Sequence, residues 1–154
     1  IEIDKINTPF FLNNQKKLYC IIHTMNLVKI LTVDYQENKN IFYLLVNFFL
    51  LLNKEDWLIN VLLWELKFYK NIGYDIDFKN YVKVANVKGD LKHYVESNKK
   101  IIPNFLINKS NTSINDKEIL NGYKIVGDYL AKTILRPNNI NYPSSRNEFV
   151  NLIK

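Results

Sequence analysis

The stretch WELKFYKNIGYDIDF, residues 64–78, decides the fold. Leu58, Val61, Leu62, Glu65, Leu66 and Tyr69 fall on connected faces of a helix that runs from a cap at Asn53 to Ile72. Gly73 stops it, because glycine best tolerates the left-handed exit from a helix. Asp56 stands in the first turn, where the helix dipole favours an acid. An aromatic and two aspartates, Tyr74, Asp75 and Asp77, follow at once.

Helical spacing extends outward on both sides. Leu18, Ile21, Ile22, Met25, Val28 and Leu31 predict an amphipathic helix from Asn13 or Asn14 to about Val33. Asn40 to Leu52 predicts a second, so apolar that it reads as the central helix of a bundle, most of its surface buried. The alternative for so apolar a helix is a partner-binding face. Ser113 with Asp116 resembles a capping box that opens a fourth helix, ending near Leu135 before Arg136-Pro137. Ser145 with Glu148 opens a fifth, with Phe149, Leu152 and Ile153 on its apolar face. Between residues 74 and 112 the pattern changes. VKVANV and LKHYVES, around Gly89-Asp90, predict a small antiparallel hairpin. The expected fold is mainly α, about five helices with a hairpin insert. Residues 1–12, IEIDKINTPFFL, read as the end of a strand and a linker from a preceding domain. The chain begins at Ile1 and is expected to be a piece of a longer protein.

Composition bounds the chemistry. The 154 residues are 47% hydrophobic, with ten Tyr and nine Phe, which suits one domain with a sizeable core and excludes a disordered chain. The longest apolar run is far too short to span a bilayer. The net charge is +6, which favours polyanions or reflects the lysine bias of an AT-rich genome. The one cysteine, Cys20, lies on an apolar helix and excludes an internal disulfide or a cysteine-cluster metal site. His23 and His93 lack ligand spacing, so neither a metal nor a cofactor is expected.

No phosphate-binding glycine loop or nucleophile motif appears. Three acids could in principle do acid–base work: Glu65, Asp75 and Asp77. Glu65 sits among Trp64, Leu66 and Phe68, so it should be partly buried and need partners. Its plainer role is a structural acceptor, and the plainer role of the aspartates is to bond turn amides. The chain is not expected to be an enzyme.

The lysines are a better lead. Lys79, Lys83, Lys88, Lys92, Lys99, Lys100 and Lys109 face only Asp90 and Glu96 between residues 79 and 109. Tyr81, Tyr94 and Phe105 are interleaved. Lysines suit phosphates and exposed aromatics stack on unpaired bases; a solvated hairpin with inward aromatics is the alternative. Lys124, Lys132, Arg136 and Arg146 form a second basic group, or serve as helix C-terminal charges.

Three phrases in order resemble the C-terminal helical domain of bacterial RecO proteins, and alphaproteobacterial members most. They are WELKFYKNIGYDIDF, LNGYKIVGDYLAKTIL and PSSRNEFVNLI, and the resemblance spans residues 13–154. It implies a non-enzymatic, cytoplasmic, nucleoid-associated mediator of DNA repair and recombination. Such proteins act with RecR, load recombinase onto DNA coated with single-strand-binding protein, and anneal strands. The helical domain is implied to dock the acidic, hydrophobic tail of single-strand-binding protein in an apolar pocket rimmed by cations. Lys132, Arg136 and Arg146 are the expected rim. Lys79, Lys83, Lys88, Lys92, Lys99 and Lys100 are the expected nucleic-acid contacts. Two departures are visible. The zinc-binding cysteines of many members are replaced here, by Tyr81 and Val84 among others. The OB-fold domain that supplies much of the family's binding to single- and double-stranded DNA is absent from the chain. The rival reading is a helical protein-interaction domain with no nucleic-acid role.

Overall fold

A computed structural model describes residues 13–33, 37–95, 100–108 and 114–154. The expected strand and linker at 1–12, the start of the fourth helix at Ser113, and Lys99 lie outside them.

Helix α1, Gln15–Leu31, begins at Asn14, whose side chain accepts from the Lys17 amide at 3.1 Å. Helix α2, Lys39–Leu51, is capped the same way by Asn38. Each cap satisfies an amide that would otherwise lack a partner. Helix α3, Trp57–Asn71, starts later than its spacing suggested. Residues 53–56 form turns, and Asp56 holds the N-cap position without a side-chain bond. Its end is as read. Gly73 takes φ 96°. The Tyr74 amide bonds the Tyr69 carbonyl at 2.8 Å and the Gly73 amide bonds that of Lys70 at 3.1 Å. This is a Schellman ending.

The insert opens with a 3-10 turn at residues 78–81, capped by Asp77. Strands β1, Val82–Val87, and β2, Asp90–Val95, pair antiparallel, and β3, Ile101–Ile102, adds a short third strand on β2. The hairpin turn is Lys88-Gly89, one residue before the expected place. Both residues have positive φ, 54° and 89°, as a two-residue turn matched to strand twist requires. A short helix, α4, Phe105–Asn108, buries Phe105, Leu106 and Ile107.

Helix α5, Asp116–Tyr129, opens on a capping box of Asn115 and Glu118; the expected cap at Ser113 lies outside the described residues. From Leu130 to Leu135 the backbone widens to π geometry, then tightens through a 3-10 turn at Arg136–Asn138. Helix α6, Ser144–Leu152, packs on α1. Ser145 is no cap; it lies inside the helix, buried, and accepts from the Asn26 amide group at 3.1 Å.

The central helix is α3, not α2. Helix α3 buries Val61, Leu62, Trp64, Glu65, Phe68 and Tyr69 on several sides. Helix α2 packs mainly on α3 along one face, through Phe48 against Trp64 and the Trp64 indole N–H bonded to the Leu44 carbonyl at 2.6 Å. Its other face lies open. Phe42, Tyr43 and Leu50 are 62%, 68% and 62% exposed. Apolarity measures a wish for cover, and a helix packed mainly along one face covers mainly one stripe.

Candidate functional site

The expected tail-binding rim divides. Arg146 is fully buried. It enters from α6, and its guanidinium donates to the Glu65 carboxylate on α3 and, at 3.2 Å, to the Tyr123 carbonyl on α5. Tyr69 donates its hydroxyl to the same carboxylate. Arg146 Nη1 lies 2.9 Å from His23 Nε2, so the neutral ring accepts there and carries its proton on Nδ1. Gly127 leaves room for this: a Cβ there would stand 3.1 Å from Arg146 Nε. Arg146 therefore ties α1, α3, α5 and α6 together and cannot rim a surface pocket. Glu65 is its structural acceptor.

This knot is closed to protons as well. Burial holds the His23 imidazole well below its usual range, and the neighbouring Arg146 charge adds to this. Burial, then the Glu65 charge, pushes the Tyr69 hydroxyl up; burial likewise raises Tyr123 and the Cys20 thiol.

Lys132 does line an opening. A cleft of about 370 Å³ lies between the end of α5, the π turn, the sheet and the loop after Gly73. Ile76, Phe78, Val95, Ile102, Ile125 and Tyr129 supply apolar walls, and Lys100, Lys132, Asp75 and Asp128 the charges. The π turn passes through this wall at Lys132 and Thr133, and such turns concentrate at functional sites. Lys100 Nζ pairs with Asp128. Asp75 pairs with Lys70 at 2.9 Å. Arg136 is exposed just beyond the π turn and does not line the cleft.

The expected nucleic-acid lysines also divide. Register pairs Lys83 with Tyr94 and Ala85 with Lys92, so Lys83, Lys92 and Tyr94 share one face of the hairpin. Lys88 is exposed in the hairpin turn and Lys79 within the 3-10 turn. Lys100 belongs to the cleft. Phe105 is 3% exposed and belongs to the core, not to a stacking surface. Glu65, Asp75 and Asp77 do not converge: one binds Arg146, one Lys70, one the Lys79 amide. Among the described residues no three His, Cys, Asp or Glu side chains group as metal ligands, and no helix is long and apolar enough to cross a membrane.

Sequence reasoning missed two things. Lys100 and Lys132 were assigned to different partners, although they flank one cleft; their separation in the chain hides it. The burial of Arg146 had a signal, because a carboxylate at Glu65 in an apolar helix demands a buried donor.

The described residues thus form a bundle of helices with a small sheet, a buried arginine knot and an apolar cleft rimmed by two lysines and two aspartates. The family described as "Recombination protein O C terminal" matches residues 12–139, and the chain belongs to it. DNA repair protein RecO of Rickettsia canadensis is 33% identical over 94 residues, which is 61% of this chain and 38% of that protein. The chain thus spans well under two thirds of this curated relative. No solved structure matches it.

Proposed function

We propose that the chain serves DNA repair and recombination as the helical part of a RecO-type mediator, without catalysis or a cofactor, in the bacterial cytoplasm at the nucleoid. The observation that carries the reading is the apolar cleft with Lys100 and Lys132 on its rim. An acidic tail ending in apolar residues, as single-strand-binding protein presents, would place its side chains on Ile76, Phe78 and Ile125 and its carboxylates against the lysines. RecR and DNA are partners of the whole protein in this reading. The hairpin face of Lys83, Lys92 and Tyr94 would add phosphate contacts and a stacking ring.

The test is fluorescence titration of a labelled tail peptide of single-strand-binding protein against the 154-residue chain. Micromolar binding that is lost in Lys132→Glu, with the helical circular dichroism unchanged, supports the reading. Binding indifferent to Lys132→Glu refutes this cleft as the site.

A second reading has its own observation. The open face of α2, with Phe42, Tyr43 and Leu50 exposed, suits a protein contact that needs no nucleic acid. Under that reading alone, Phe42→Ser with Leu50→Ser abolishes partner capture, and DNA affinity is negligible even at low salt.

A further inference from the structure

We infer that Asp128 is a built-in competitor for the docking cleft: it occupies the Lys100 ammonium that an incoming carboxylate needs, and it must be displaced when an acidic peptide docks. This rests on the docking reading above and adds a residue that opposes docking.

The geometry carries the inference. Asp128 stands in the last turn of α5, two residues before the π turn. Asp128 and Lys132 are four residues apart, a spacing that pairs side chains on a regular α-helix. Here the backbone widens between them, and Asp128 reaches instead to Lys100, which precedes β3. All three line the same cleft. The Lys100 and Asp128 side chains are 51% and 49% exposed, so the pair is within reach of solvent and of a ligand. An exposed pair of this kind is weak enough to exchange. A carboxylate from a ligand offers Lys100 the same charge and the same acceptor geometry as Asp128, so one replaces the other without loss of a hydrogen bond. Asp128, once released, turns to water at no burial cost.

The pair has a second effect. With Lys100 matched by Asp128 and Asp75 matched by Lys70, the rim presents Lys132 as its net charge among the described residues. Displacing Asp128 brings a negative group back beside the bound peptide. The peptide must therefore supply apolar contact as well as charge, which selects a tail with both.

The experiment measures the affinity of the labelled tail peptide for the full chain, for Asp128→Asn, for Lys100→Ala and for the double variant. Asp128→Asn is isosteric and lies on the surface, and circular dichroism checks its fold. The expected result is binding tightened about two- to fivefold in Asp128→Asn, the range an exposed ion pair is worth. The gain should disappear in the Lys100→Ala background, and should shrink as salt rises. A gain that persists without Lys100 would mean long-range repulsion and would overturn the exchange. Unchanged or weaker binding in Asp128→Asn overturns the competitor while leaving the docking reading intact. Absence of binding in every variant overturns the docking reading and the competitor with it.

Discussion

Arg146–Glu65 and Lys100–Asp128 are the same chemistry in opposite surroundings. The first pair is 0% and 3% exposed and is enclosed by four helices. The second is about half exposed on the rim of a cleft. Both join elements distant in sequence, yet the surroundings reverse their meaning. A buried pair is costly to assemble and far more costly to break, because the abandoned partner has no water to turn to. An exposed pair is nearly free to break. The difference separates a group that holds the fold from a group that can be traded for a ligand.

The largest test of this contrast is Arg146→Met. It should destabilise by about 3–5 kcal/mol, since Glu65 is left buried and unpaired. Adding Glu65→Leu should recover part of that loss. Urea denaturation of the single and double variants measures both; equal stability of Arg146→Met and the parent chain would place Arg146 outside the knot.

Gly127→Ala comes next. Its Cβ would stand 2.9 Å from the Tyr142 hydroxyl and 3.1 Å from Arg146 Nε. The exposed Tyr142 can swing aside, but the buried guanidinium must yield by a few tenths of an ångström, at a cost of about 1–3 kcal/mol against the roughly 1 kcal/mol that alanine gains over glycine inside a helix. Thermal denaturation should show a lower midpoint with the fold retained.

The knot also predicts a pH dependence. His23 is held below its usual range in the folded chain, so the unfolded chain takes up the proton first. Its contribution is complete above about pH 6.5 and falls by up to about 1.4 kcal/mol per unit as the pH drops below that. Tyr69 and Tyr123 are raised, so their contribution is complete below about pH 10 and is lost as the pH rises past it. Stability measured in urea from pH 7.5 to 5 should fall on the acid side, and less steeply in His23→Gln.

Lys100→Ala gives the smallest effect. Stability should change by less than about 0.5 kcal/mol. A larger loss would mean that the rim pair is structural after all, and the contrast would collapse.

Legibility in the sequence followed the same division. Helix α1 and the Gly73 ending follow from local chemistry: apolar residues three and four apart, an asparagine cap, a glycine at the left-handed position. The hairpin was readable to within one residue because Gly89 marks its turn. What could not be read was burial. Helix α2 is more apolar than α3, yet α3 is central, because cover depends on how many neighbours a helix meets and not on its composition. Arg146 and Lys132 were interchangeable as symbols of positive charge. Only the fold sends one into the protein beside Glu65 and leaves the other on a rim.

Glu65 and Arg146 lie 81 residues apart. During synthesis the helix that carries Glu65 is finished long before its partner exists. Through that interval the nascent chain holds a bare carboxylate in the midst of an apolar helix, unable to settle. Closure must wait for helix α6, so translation that stops between the two leaves a product marked for chaperones and proteases.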